Sequence, residues 1–200
     1  MPATSAPEKP VGTILPTGPK LLPTFARHET FHPRFGWLKK GYDAACRQPD
    51  IFLLPNAPAV LGVGKNMVRA IRYWCSAYKV LEEVANSERP RLRDAVPTDF
   101  GNRLLGSEGW DPYLERAGSL WLLHWHLFSA PCIAPAWFVG FNEFRKPEFS
   151  DQDLFSELQS FRNSQGWQTI VDGSLRKDVD CFLRMFAGSP NAKEILEDSI

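Results

Sequence analysis

The chain has 200 residues, with 23 lysines and arginines balanced by 23 aspartates and glutamates. Balanced charge gives no global sign of a polyanionic partner, so any nucleic-acid face must be a local cluster. Hydrophobic residues make up 44% and aromatics 12% of the chain, enough to bury the core of one domain or two small ones.

Cys46, Cys75, Cys132 and Cys181 form no C-x-x-C pair. Such spacing predicts reduced, buried thiols in a cytoplasmic protein, and argues against a disulfide framework or a zinc knuckle. In chain order, residues 1–22 are rich in proline and small residues and contain no apolar signal-peptide core. They are expected to form a disordered arm.

Phe25 to Ala45 reads as a turn and then a helix with Leu38, Tyr42 and Ala45 on one face. Its start, His28-Glu29-Thr30-Phe31-His32, matches the zinc-peptidase pattern H-E-x-x-H. That chemistry needs both histidines on one helical face, and Pro33 disfavours helical backbone at His32. No third ligand follows, so no metal site is expected. His28 and Glu29 read as structural, or, with Arg34, Lys39 and Lys40, as candidates for holding a polar ligand.

Asn56 to Leu61 predicts a short helix ending at Gly62, and a long one is expected from Lys65 to about Val84. Met67, Val68, Ile71, Trp74, Cys75, Tyr78 and Leu81 recur at three and four residues along it, while Lys65, Arg69, Arg72 and Lys79 occupy the opposite side. The intervening Gly62-Val63-Gly64-Lys65-Asn66 fails as a phosphate-binding loop. Ala59 stands where the first glycine belongs, and Asn66 replaces the magnesium-holding hydroxyl. A tight turn between two helices explains it better.

Next, Glu88 to Val96 is a short basic segment in which Arg89, Arg91 and Arg93 alternate, as on one side of an extended strand. Thr98 is a predicted N-cap, with Phe100 and Leu104 facing inward. Helix, turn, amphipathic helix, basic hairpin and returning helix together suggest a winged helix-turn-helix over residues 23–106. Lys65, Asn66, Arg69, Arg72 and Lys79 would then face the major groove, and Arg89, Arg91 and Arg93 the backbone.

Residues 107–200 are expected to form a helical second domain. Ala117 to Asn142 carries no Asp, Glu, Lys or Arg, but Pro131 and Pro135 break it. It reads as a buried helix from Ser119 to Ser129 and a short apolar segment, and no membrane span is expected. His124 and His126 are two apart, which points them to different sides of a helix rather than at one metal. Ser150 should cap a helix from Asp151 to Ser164 that stops at Gly166, with Phe149 and Leu154 as its staple. Ser174 should cap another from Leu175 to Phe186, ended by Gly188. Asp111, Glu115, Glu143, Glu148, Asp151 and Asp153 follow no nuclease spacing and read as caps and surface acids.

FARHETFHPRFGWLKKGYDAA, LGVGKNMVRAIRYWCSAYKVLE, PTDFGNRLLG, DPYLERAGSLWLLHWHLF and SLRKDVDCFLRMF together resemble successive landmarks of family 4007 of domains of unknown function. The resemblance covers Phe25 to the C-terminus. It implies a component of a bacterial single-strand DNA phosphorothioation system, which puts sulfur in place of a phosphate oxygen and serves modification and phage defence. Implied partners are double-stranded DNA, an ATPase, an ATP pyrophosphatase-like protein and a cysteine desulfurase, with a homodimer also expected. DNA nicking, using Mg²⁺ or Mn²⁺, is the implied activity, with no catalytic motif to carry over. The family pattern continues past the segment matched by Glu197-Asp198, so the chain is expected to be short of it at the C-terminus. The alternative is a non-catalytic regulator or assembly module that docks the sulfur-transfer proteins. The expected fold is mainly α.

Overall fold

The computed structural model describes residues 20–187. The expected arm lies outside them except for Lys20, Leu21 and Leu22, which run along Cys132: Cys132 N–H donates to the Lys20 carbonyl and Leu22 N–H to that of Cys132, both at 2.9 Å. Gly188 and Glu197-Asp198 also lie outside.

The described part is mainly helical. Helix α1 spans Trp37–Arg47, α2 Ala57–Leu61 and α3 Lys65–Ala77. An antiparallel hairpin follows, β1 Leu81–Ala85 with β2 Arg93–Pro97, registered from Leu81 opposite Pro97 to Ala85 opposite Arg93. Then come α4 Asp99–Leu105, α5 Ala117–Leu127, α6 Pro135–Phe138, α7 Asp151–Ser164 and α8 Asp172–Phe186. A wide helical turn over Val139–Glu143 extends α6.

Helix α3 runs through the centre. Ala70, Ile71, Trp74, Cys75 and Ala77 are fully buried, as their three-and-four spacing requires. A fully buried tryptophan is worth about 4–6 kcal/mol at ~25 cal/mol per Å², and Trp74 also donates its Nε1–H to the Phe31 carbonyl at 2.9 Å. Helix α1 lies close against α3 because position 41 is glycine; a Cβ there would sit 2.6 Å from Cys75 Sγ.

The long helix expected to reach Val84 ends instead at Ala77. Lys79 adopts left-handed backbone at φ 61°, and the chain leaves as β1. Leu81 keeps helical spacing with Trp74 and Tyr78, which is why periodicity extends past the true end. Pairing with β2 decides the outcome, since strand preference depends on tertiary context. Thr98 closes the hairpin as the expected cap of α4. Its hydroxyl accepts from Gly101 N–H at 2.9 Å and donates to the Lys79 carbonyl. Gly101 packs against the Val80 carbonyl with no room for a side chain.

Two further expectations change. Helix α5 is not buried all round: Leu120, Trp121 and Trp125 are 53%, 73% and 74% exposed. Helix α8 begins at Asp172, one turn's edge before Ser174, which lies inside the first turn and does not cap it. Helix α7 agrees with expectation, with Ser150 and Asp153 in a reciprocal capping box and Gly166 at φ 70° beyond its end. Of the cysteines, Cys46 is exposed and the other three are buried, all as free thiols.

The N-terminal loop is joined to α8 by one buried polar contact. Thr30 N–H donates to His28 Nδ1 at 3.1 Å, which leaves Nε2–H to donate to Asp178 Oδ1 at 2.9 Å. Ala26 N–H donates to the same oxygen at 2.7 Å. Both side chains are fully buried. Burial pushes the Asp178 carboxyl above its usual range, and these hydrogen bonds partly oppose the shift. Asp178→Ala, which leaves both donors unpaired, is expected to cost about 3–5 kcal/mol in urea denaturation. Asp178→Asn, which keeps an acceptor oxygen, should cost clearly less; equal losses would show that the acceptor is not what holds the loop.

Candidate nucleic-acid interface

The chemistry-bearing surface begins at the Gly62–Gly64 turn. Gly62 is left-handed at φ 64° and ends α2, and Gly64 is the extended residue from which α3 starts. Lys65 and Asn66 therefore stand exposed on the first turn of α3, and Arg69 follows one turn on. Arg69 reaches back to Glu29 at 3.3 Å. Arg72 is folded onto the hairpin: its Nε donates to Glu83 at 2.8 Å and its Nη2 to the Arg93 carbonyl at 2.9 Å.

Lys79 belongs elsewhere. It lies past the end of α3, and its Nζ donates to the Pro131 carbonyl at 2.8 Å. Burial lowers its pKa from the ordinary lysine value. The expected alternation of arginines on a strand is also corrected, since only Arg93 lies in β2. Arg89 and Arg91 occupy the connection between the strands. Asn86 Oδ1 holds that connection by accepting the N–H groups of Glu88 and Arg89, while its Nδ2 donates to Asp94. Arg89 pairs with Asp50 at 3.5 Å and Arg91 is exposed.

The zinc reading fails on geometry, because His28 has both ring nitrogens engaged by Thr30 and Asp178. Its neighbour Glu29 serves Arg69. Arg34 lies over the rings of Phe31 and Trp37, 5.7 Å from each centroid. Lys39 donates to Asp43 and to the Leu105 carbonyl, and Lys40 to the Leu61 carbonyl at 2.9 Å. These two lysines line a cleft of about 470 Å³ between α1, α2 and the loop before α5. A more apolar cleft of about 350 Å³ lies beside it, walled by Leu120 and Leu123 of α5 and Met185 and Phe186 of α8.

Three of the remaining acids are occupied structurally. Asp111 accepts the N–H groups of Glu115 and Arg116, Asp153 caps α7 and pairs with Lys146, and Asp151 meets Arg176 at 3.3 Å. Among the described residues, no three His, Cys, Asp or Glu side chains could hold a metal, and no helix is long and apolar enough to cross a membrane.

Sequence reasoning missed Asp178, although a signal was present: it falls on the apolar stripe of Leu175, Val179 and Phe182. A carboxylate in such a stripe implies a buried partner. His124 and His126 do point apart, His124 edge-on to Phe128 and Phe141, and His126 stacked on Phe100 at 3.8 Å.

These features define a mainly helical protein in which a basic-faced helix, α3, is backed by a small hairpin. The chain belongs to the DUF4007 family of proteins of unknown function, whose model matches residues 25–200. It is similar to a magnesium ion-bound SspB crystal structure, at 41% identity and a TM-score of 0.83 over 88% of this chain and 53% of that one. A second SspB crystal structure gives 39% identity and a TM-score of 0.81 over 90% and 54%. The chain thus spans about half the length of the SspB chains it matches. No curated protein matches it.

Burial lowers the pKa of His124 and of His126, the latter aided by the Lys79 charge. The unfolded chain therefore binds more protons near the ordinary histidine pKa, so this stabilisation is present above about pH 6.5 and lost as pH falls below it. Unfolding midpoints should drop between pH 7 and 5.5, and less steeply in a His124→Gln/His126→Gln double variant. An unaltered pH slope in that variant would rule out the two histidines as its source.

Proposed function

We propose that this chain is a DNA-binding component of a bacterial DNA phosphorothioation system, with residues 23–106 acting as a winged helix-turn-helix. The observation that carries the reading is α3: it presents Lys65 and Asn66 on its first turn and Arg69 one turn on, directly after the glycine turn. Lysine suits phosphate, asparagine adenine and arginine guanine. The β1–β2 hairpin would serve as the wing, laying Arg89, Arg91 and Arg93 along the backbone. Helices beyond residue 107 would form the second domain. The similarity to SspB structures supports the assignment to the phosphorothioation system, whose ATPase, ATP pyrophosphatase-like protein and cysteine desulfurase are the proposed partners. Nicking with Mg²⁺ or Mn²⁺ is then an activity of the assembled system, to which this chain contributes recognition of the DNA site.

Arg72 and Lys79 carry less weight than their sequence positions suggest, because both are held by the protein itself. A second reading, an assembly module for the sulfur-transfer proteins, is favoured by the exposed, uncharged face of Leu120, Trp121 and Trp125. Uncharged apolar surface of this kind suits a partner helix of equally apolar character.

Fluorescence anisotropy with a labelled duplex at two salt concentrations tests the first reading. Ala in place of Asn66 or Arg69 is expected to weaken binding by about 1–3 kcal/mol at the base it reads. Arg91→Ala should weaken all sequences alike and reduce the salt slope by about one. Undiminished affinity in all three variants would sink the mapping. Retained capture of the desulfurase or ATPase without any DNA affinity, lost on Trp121→Ala/Trp125→Ala, would favour the second reading.

A further inference from the structure

The cleft beside the Gly62–Gly64 turn has features that neither packing nor α3 explains. Two large aromatic side chains stand at its rim, Phe35 at 82% exposure and Tyr113 at 65%. Each is presented by constrained backbone. Phe35 precedes Gly36, left-handed at φ 78°, and Tyr113 precedes Leu114, left-handed at φ 56°. The second is costly for a residue with a side chain. What maintains it is Asp111, buried, whose carboxylate takes the N–H groups of Glu115 and Arg116 while its carbonyl accepts Leu114 N–H.

Besides the rings, three cationic side chains line the cleft against one acidic, and the acid is already paired. Lys39 meets Asp43 at 2.8 Å, and its ammonium lies 5.9 Å from the Tyr113 ring centroid. Lys40 donates to the Leu61 carbonyl, one of three donors an ammonium carries. Arg47, in the last turn of α1, is exposed at the far wall. Aromatic faces for a base together with cations for a phosphate are the means by which proteins hold unpaired nucleotides. A volume of about 470 Å³ is of the size that small-molecule sites occupy.

We propose that this cleft binds a single unstacked nucleotide of DNA, with its base against Phe35 and Tyr113 and its phosphate near Lys40 and Arg47. The inference rests on the DNA-binding reading above and extends it to a site that reading does not use. Position supports it: Leu61 and Gly62 form one wall, and Lys65 opens α3 three residues later. A duplex held at the start of α3 therefore passes the mouth of the cleft. A nucleotide displaced there is removed from the base stack, which exposes the adjacent sugar–phosphate linkage.

The test compares two labelled duplexes of identical sequence, one fully paired and one with a single-nucleotide bulge, titrated against the whole chain. Wild-type protein should bind the bulged duplex about tenfold more tightly, in line with the alanine-substitution effects of base stacking on aromatics. Phe35→Ala and Tyr113→Ala should each erase most of that preference while leaving affinity for the paired duplex unchanged, which also shows that the variants fold. A 5-iodouridine in the bulge should photocrosslink to this rim. Equal wild-type affinity for both duplexes overturns the cleft assignment and leaves DNA binding standing. A preference that survives both substitutions, with crosslinks elsewhere, also overturns it. No affinity for either duplex overturns both proposals together.

Discussion

The hydrogen bond from His28 to Asp178 is the constraint on which the arrangement of this surface depends. It is made in a dry environment: the imidazole lies 6.2 Å from Trp74, 5.6 Å from Trp137 and 6.1 Å from Tyr73, centroid to centroid. A carboxylate is costly to bury there, and Asp178 Oδ2 has no partner among the described residues. What offsets that cost is two donors on Oδ1 and the packing of three aromatic side chains. The contact joins residues 150 apart in sequence, so it cannot form until α8 has docked on the loop before α1.

Several consequences follow from the loop being fixed. Ala26, Glu29 and Thr30 all have positive φ without being glycine, which is tolerated only where surroundings over-determine the backbone. That geometry directs the Phe31 carbonyl to the Trp74 indole, the Thr30 carbonyl to Arg184, and the Glu29 carboxylate to Arg69. One buried pair thus reaches the proposed DNA face through a single side chain. Substitutions at Asp178 would disturb Arg69 without touching it.

Much of the fold was legible in the sequence where local chemistry decides local structure. Thr98, Ser150 and Gly166 mark their helix ends because a hydroxyl or a left-handed glycine satisfies the terminal groups on the spot. Leu81 to Val84 reads as helix in the sequence because Leu81 continues the spacing of Trp74 and Tyr78, and only the distant partner β2 settles the matter. For α5 the error has another cause. A run without charge looks buried from any angle, yet Trp121 and Trp125 fall on the side that the rest of the described protein leaves open. At the candidate interface, Lys65, Asn66 and Arg69 could be found from their positions on α3. The engagement of Arg72 with Glu83 could not, since it requires the hairpin to fold back across the helix. The cleft was less legible still. Lys39 and Lys40 were visible as charges, but Phe35 and Tyr113, which line one cleft, are 78 residues apart in sequence.

The pairing of the arginines bears on how such a surface would act. With equal numbers of acidic and basic residues overall, the protein has no excess field to draw in a polyanion from a distance. Glu29 and Glu83 further neutralise Arg69 and Arg72 at close range. A phosphate approaching α3 must displace a carboxylate that is already in place, and exposed ion pairs of this type are worth at most about 1 kcal/mol. The exchange is therefore affordable for a ligand that brings several phosphates in register, and unfavourable for one that brings a single charge. Partner exchange of this kind selects for an extended backbone over free nucleotides without adding affinity, because each released carboxylate remains nearby to recapture its arginine. Lys65 and Asn66, at the positive end of the helix dipole, form the part of the surface from which such an exchange could begin.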